Sequence, residues 1–331
     1  LNKILPKNIE GFATLKDFND DGIDDLFTSS AGLGAAGIAL YQASGTPDNY
    51  TFRLRRMGRR EGDAEIIWNR LPFGQVYCAS TDIPAISDVD KDGDLDILTF
   101  DEAGSYVYFC KNNQVEKDLP KDTMDFEIAD FCFGKFLESG LSQTIILSDD
   151  PGLCADNFNE EEDETIEKSG GAHAGSTVMA IDPDMDEDLD LLLGDLTYEG
   201  LVFLENGGAS EAAFMTSVDY SFPSYDTPVQ MPVFLGAFSV DVNNDGLEDL
   251  LVAPNAQSSI QNTNNIWYYR NTGQDKALYS LEQQDFLIEE SLDYGSYSVP
   301  VYTDYNADGL QDIIIAASGP FNGISSEMRL V

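Results

Sequence analysis

The apolar residues of this chain come in short runs closed off by turns of glycine, asparagine and aspartate, and no run has the length or period of a long amphipathic helix. Leu26-Phe27, Ile97-Leu98, Leu191-Leu192, Leu250-Leu251-Val252 and Ile313-Ile314-Ile315 read as buried strands. The first four are each followed by an aromatic-bearing run: Ile38 to Tyr41, Tyr106 to Phe109, Leu201 to Leu204 and Ile266 to Tyr269. The last three of these end in polar turns, Lys111-Asn112-Asn113, Asn206-Gly207-Gly208 and Asn271-Thr272-Gly273. One more strand precedes the acidic turn of each unit, as in Tyr297 to Tyr302, and a fainter fourth follows, as at Tyr50 to Leu54 and Tyr279 to Leu281. Four strands in a unit of roughly 45–70 residues predict an all-β fold, a β-propeller built of four-stranded blades.

Between the first and second strand of a unit lies a nine-residue acidic stretch that occurs five times. Oxygen-bearing side chains hold its positions 1, 3, 5 and 9. These are Asp17, Asn19, Asp21 and Asp25; Asp88, Asp90, Asp92 and Asp96; Asp182, Asp184, Asp186 and Asp190; Asp241, Asn243, Asp245 and Asp249; and Asp304, Asn306, Asp308 and Asp312. Calcium takes six to eight oxygen ligands at about 2.3–2.6 Å, and a tight loop with carboxylates on alternate residues aims several at one point. Position 7 adds a main-chain carbonyl in such loops, which predicts Ile23, Asp94, Asp188, Leu247 and Leu310 as further ligands. Gly22, Gly93, Gly246 and Gly309 at position 6 permit the positive φ that turns the chain; the third loop has Glu187 there, and must accept strain or turn differently. An EF-hand opens in the same way but closes with a glutamate at position 12 between helices. Here an aspartate at position 9 leads into a strand. Ion-free acidic turns would not reproduce four ligating positions five times in register, so the loops predict about five structural calcium ions.

The loop starts are 71, 94, 59 and 63 residues apart, and the long interval has room for one more unit. Lys135-Phe-Leu137-Glu-Ser139-Gly140-Leu-Ser-Gln143 followed by Ile145-Ile146-Leu147 aligns with Asp17 onward and keeps the glycine and the strand without the ligands. It predicts a sixth unit that retained its fold and lost its metal, so that 1–331 reads as a single propeller with units near 17, 88, 135, 182, 241 and 304.

Charge narrows the partners. With 60 acidic and 18 basic residues the formal charge is −42, which disfavours nucleic acid and anionic membranes. Five divalent ions would still leave about −32, so the acidity beyond the loops reads as a solvated surface in a calcium-rich or salty medium. No apolar stretch approaches the roughly 18 residues of a membrane span. The chain begins at Leu1 with neither initiator methionine nor signal peptide, as a mature form or excised fragment would. Cys78, Cys110, Cys132 and Cys154 fit neither a redox nor a zinc motif. Outside the cytosol one or two disulfides are expected, Cys132 with Cys154 as the preferred pair and Cys78 with Cys110 by elimination, although four cysteines allow three connectivities and buried free thiols are the alternative.

Three stretches stand outside the strand pattern, as excursions from blade edges. Residues 53–70 hold Arg53, Arg55, Arg56, Arg59, Arg60 and Arg70, a third of all basic residues. This basic island is a candidate partner contact, or else an outer strand neutralised by Glu61, Asp63 and Glu65. Residues 149–172 carry the acidic run Glu160 to Glu164, which reads as a solvated loop, and 255–265 form a polar loop. Nothing resembles an active site: the one histidine, His173, sits in an apolar run and reads as structural, and the carboxylates with recognisable spacing are committed to calcium.

These loops resemble the FG-GAP/VCBS repeats of seven-bladed propellers known from integrin α-chains and secreted bacterial proteins. Cys132 to Leu141, with His173 to Thr177 leading into the Asp182 loop, is similar to surface proteins of Bacteroidota that carry such a propeller and end in a type IX secretion sorting domain. The resemblance implies a secreted or cell-surface, non-enzymatic, calcium-stabilised propeller, handled by the secretion machinery and serving protein interaction, adhesion or surface motility. It also implies a further blade upstream, and Glu327 to Val331 falls where the third strand of a blade should begin, so a longer parent protein is expected. The alternative is a glycan-binding module or polysaccharide-degrading enzyme on the same fold. Trp68, Trp267, Tyr268 and Tyr269 are candidate sugar-stacking residues, although their strand positions favour core packing.

Overall fold

In a computed structural model the short runs pair with their sequence neighbours. The structure describes residues 5–7, 9–33, 36–46, 49–55, 75–139, 142–155, 175–210, 212–231, 234–256, 260–290, 294–319, 321, 326 and 329–330. The first sheet is a meander of β1 (Ala13–Lys16), β2 (Asp25–Ser29), β3 (Ile38–Thr46) and β4 (Asn49–Leu54). The second contains β5 (Ala85–Ser87), β6 (Asp96–Phe100), β7 (Val107–Asn112) and β8 (Phe126–Asp130). After β9 (Phe136–Glu138) and β10 (Ile145–Leu147) come two more four-stranded meanders. One is β11 (Ser176–Ile181), β12 (Asp190–Asp195), β13 (Val202–Asn206) and β14 (Met215–Asp219); the other is β15 (Leu235–Val240), β16 (Asp249–Pro254), β17 (Trp267–Asn271) and β18 (Tyr279–Gln283). A last sheet joins β19 (Val299–Thr303), β20 (Asp312–Ala317) and β21 (Arg329–Leu330). All of these pairings are antiparallel, and among the described residues the one helical turn is the 3-10 segment Ser30–Leu33. This is the propeller arrangement of small four-stranded sheets.

In three units the second strand is buried on both faces. All five residues of β2, all five of β6 and all six of β12 are inaccessible, which is why these segments read as unbroken apolar runs rather than alternating ones. They fill the spaces between sheets. Phe27, Ile38 and Leu40 of the first sheet meet Ile86, Ile97 and Phe126 of the second, and Ile181 and Leu192 meet Leu235, Leu250 and Tyr269. Each such fully buried side chain contributes about 1.5–3 kcal/mol.

The unit near 135 departs from the sequence alignment. Phe136 to Glu138 is already a strand, paired so that Glu138 faces Ile145, and the turn is therefore 139–144. In the first unit Lys16 faces Asp25, so the loop at 135 is two residues shorter and starts at Ser139, not Lys135. Among the described residues this unit has two strands only. The sheets on either side meet directly: Leu98, Val107 and Phe109 share one core with Val178, Leu191 and Leu204, and Val178 N–H donates to Ile83 O at 2.9 Å. The two-stranded unit is wedged between them, with Phe133 N–H donating to Val107 O and Met215 N–H to Gly134 O.

The last sheet is open. Val299, Val301 and Ile313 are all more than half exposed, and the sheet is held to its neighbour through the polar loop, where Asn262 N–H donates to Phe321 O at 2.7 Å. A third strand does begin at Arg329, paired with Ala317.

Cys132 and Cys154 form a disulfide across 22 residues with a Cα separation of 6.0 Å. Cys78 and Cys110 do not pair. Both are buried free thiols: the Cys78 S–H faces its own turn, towards the carbonyls of Ala79 and Asp82, while Cys110 sits mid-strand on β7 between Ile97 and Ile128. Burial pushes the Cys110 thiol up to about 12 and Cys78 well above its ordinary range. We expect a thiol reagent to find no reactive cysteine in the native protein and two after unfolding without reductant. Four would show that the Cys132–Cys154 bond is absent. Replacing that pair by alanine should lower stability by about 3 kcal/mol.

Candidate metal centres

The five acidic loops share one backbone conformation. Position 4 is left-handed in each, at Asp20, Lys91, Met185, Asn244 and Ala307, with φ of 57–64°. Position 6 follows with φ of 75–99°, and Glu187 adopts it at 75° as the glycines do, so the third loop accepts the strain and keeps the turn. Side chains fix this shape. The position-1 aspartate accepts the N–H of position 6 in every loop at 2.7–3.2 Å, and the position-5 aspartate accepts that of position 7 at 2.8–3.1 Å. In each position-5 carboxylate the second oxygen is left out of this bond.

Position 9 differs in kind. Asp25, Asp96 and Asp249 are fully buried, and each accepts two main-chain N–H groups, one per oxygen. One comes from position 2 of the loop, donated by Phe18, Val89 and Val242, and in the last loop Tyr305 donates likewise to Asp312, at 2.8–3.3 Å overall. The other comes from the third strand, where Ala43, Asn112, Asn206 and Asn271 donate to Asp25, Asp96, Asp190 and Asp249 at 2.6–2.8 Å. Position 9 therefore ties loop, second strand and third strand together, a role the sequence reading gave to metal alone. The three asparagines extend the tie, since Asn206 Oδ1 also accepts from Gly208 and Phe214, and Asn271 Oδ1 from Gly273 and Leu278. Their recurrence at the end of the aromatic strand was a visible signal, read only as a turn.

The remaining oxygens fit a divalent cation. Oxygens of Asp88, Asp90 and Asp96, and of Asp182, Asp184 and Asp186, converge to within 4.8 Å of one another. Buried atoms without any hydrogen-bond partner include Asn19 Oδ1, Asp88 Oδ1, Asp92 Oδ2, Asp94 Oδ1 and Asp188 Oδ1, all on loop positions 1, 3, 5 or 7. An orphaned buried oxygen costs about 1–3 kcal/mol, more when charged, and a hard cation with oxygen ligands removes that penalty. Burial pushes Asp96 and Asp190 up to about 8, against the pull of their main-chain hydrogen bonds, and Asp25 and Asp188 up to about 6. The third strand and the turn after it add two residues to the second loop that sequence reading missed. Lys111 Nζ bonds Asp90 Oδ2 and Glu116 Oε1, and these bonds outweigh burial and hold the ammonium above its usual range.

Of the other candidates, Trp267, Tyr268 and Tyr269 are buried, which removes them as sugar-stacking residues. Arg55 is engaged internally with Asp122 and Gln42 and lies 6.0 Å from the centroid of Phe18. Arg56, Arg59, Arg60, Arg70, Trp68, His173 and the run 160–164 lie outside the described residues.

Fold and loops together define a repeat propeller with an acidic turn between the first and second strand of each metal-type blade. Residues 241–315, which span the fourth and fifth acidic loops, match the family model described as an FG-GAP-like repeat. No curated protein matches the chain. Among solved structures, an Agrocybe aegerita lectin described for its specific recognition of non-reducing terminal N-acetylglucosamine is similar over 97% of this chain and 65% of its own, at 15% identity and a TM-score of 0.36. The chain thus spans just under two thirds of that protein's length.

Two outcomes follow from the loop chemistry. Asp249→Asn keeps one acceptor oxygen where two N–H groups converge, so it should lose about 1–3 kcal/mol even in excess chelator; Asp245→Asn, which retains its bond to Leu247, should lower only the calcium-dependent part of stability. Equal behaviour of the two in chelator would refute the distinction. With metal withheld, the raised values of Asp96 and Asp190 mean that the folded state binds protons more tightly than the unfolded one. Melting temperature should therefore rise as the pH is lowered from 8 towards 5, and Asp96→Asn should flatten that slope.

Proposed function

We propose that this chain is a non-enzymatic, calcium-stabilised propeller, secreted or displayed on the cell surface, whose exposed loops bind protein partners in adhesion or surface motility. The observation that carries the reading is the recurrence, in five loops, of one hydrogen-bonded backbone in which carboxylates accept main-chain N–H groups, with further carboxylate oxygens converging in loops 88–96 and 182–190. Positions 1, 3, 5 and 9 of each loop, with the carbonyls of Ile23, Asp94, Asp188, Leu247 and Leu310, would hold the ion. Calcium supplies the positive charge that lets these oxygens remain ionised while partly buried. The chain's own contribution is the rigid turn that holds them and the position-9 staple that transmits order to the sheet. The net charge of −42 supports a calcium-replete extracellular setting, and the likeness of 132–141 to Bacteroidota surface propellers supports export by the type IX machinery.

A glycan-binding reading has one observation in its favour. Tyr297, Tyr302 and Tyr305, on and beside the open last sheet, are 90%, 68% and 80% exposed, in contrast to the buried aromatics of the other blades.

The deciding measurement is thermal unfolding with calcium and with excess chelator, alongside native mass spectrometry. About five ions at saturation and a large drop in melting temperature on chelation are expected; one ion or none, with unchanged melting, would end the calcium reading. The loaded protein, used as bait on native cell-surface extracts and on a glycan array, separates the two partner classes, and sugar binding abolished by Tyr302→Ala would favour the second.

A further inference from the structure

Two of the five loops, 88–96 and 182–190, carry aspartate at all of positions 1, 3, 5, 7 and 9. They are the two loops with a carboxylate at every one of these five positions. Besides positions 2, 4 and 6 of the loop itself, they differ at a residue of the third strand, immediately before the asparagine whose N–H caps the position-9 aspartate. In the blade of the third loop that residue is Glu205, which accepts a hydrogen bond from Ser217. In the blade of the second loop it is Lys111.

The side chain of Lys111 is 19% exposed and points into its loop. Its Nζ bonds Asp90 Oδ2, whose side chain is 1% exposed, and Glu116 Oε1, and lies 4.0 Å from Asp92 Oδ2. Oxygens of Asp90, Asp92 and Glu116 fall within 4.8 Å of one another, so the ammonium is placed where three carboxylates converge. The equivalent residues of the other blades do less. Gln42 bonds Arg55, and Arg270, about half exposed, reaches no nearer than 3.6 Å to Asp245.

We propose that Lys111 is the built-in cation of the second loop, so that this loop keeps its shape without calcium and takes up calcium only by releasing the lysine. An ammonium offers three N–H donors and a single charge, which suits a three-carboxylate cage without filling the six to eight oxygen contacts a calcium ion draws. The second loop thereby becomes the weakest calcium site and the least chelator-sensitive one, while its twin at 182–190 is fully dependent on metal. This rests on the calcium reading above for the other four loops.

Hydrogen exchange on the wild-type protein in excess chelator tests the first half without any variant. Amides of 88–96 should stay protected while those of 182–190 exchange. Lys111→Met should then remove that protection and, in a calcium titration followed by native mass spectrometry, tighten one site roughly tenfold, a change of about 1.4 kcal/mol. Equal exchange of the two loops in the wild type, or a variant with unchanged protection and unchanged titration, would overturn the proposal. If neither protein takes up calcium, yet 88–96 is protected only when Lys111 is present, the calcium reading falls and the structural role of the lysine stands.

Discussion

The structure depends on one contact that recurs in three blades: a buried aspartate carboxylate, Asp25, Asp96 or Asp249, that receives a main-chain N–H from the loop before it and another from the neighbouring third strand. A β-sheet edge leaves such N–H groups unpaired wherever a ladder ends, and leaving them buried is costly. At Asp249 the carboxylate gathers Val242, Asn271 and the Tyr268 hydroxyl onto one side chain, so the end of the ladder and the start of the loop become a single unit. The acidic loop is thus part of the sheet's hydrogen bonding rather than an appendage to it.

Concentrating anions at that junction creates the need for a positive charge. The main-chain N–H groups contribute partial charges and hold some of the oxygens, as at Asp17, which is bonded to the N–H groups of Asn19, Asp21 and Gly22. They do not neutralise the rest. On the proposed reading calcium is one answer and a lysine is another: among the described residues no ion pair reaches loop 182–190, whereas Lys111 reaches into loop 88–96.

Much of this was legible in the sequence, for definite reasons. The second strands were visible because a strand buried on both faces is an unbroken apolar run, and the loops because ligand spacing is local. Reading failed where the information was not local. The unit at 135 kept its glycine at the expected offset but had lost two residues of loop, which shifts the strand by the same amount and cannot be seen without pairing Glu138 to Ile145. Cys78 and Cys110 were paired by elimination, an argument blind to the separate surroundings of the two thiols. Lys111 and Glu116 enter their loop from another strand and another turn, at distances along the chain that carry no period. Trp267, Tyr268 and Tyr269, candidates for sugar stacking whose strand positions favoured core packing, are buried in the strand they lie on.

The wedge between the second and fourth sheets has a consequence for how this architecture changes over time. Because those sheets already share a core and a main-chain bridge at Ile83 and Val178, the stretch from 132 to 155 is topologically a detour. Its hold on the shared core runs through Phe133, Phe136 and Ile145, and its ends are clamped together by the disulfide. So long as those anchors persist, the intervening residues are free to drift, shrink or acquire new surface chemistry without reopening the ring. A unit without ligands in its turn, and with two strands among the described residues, fits such freedom, and it marks the place where the chain can most readily accept something new.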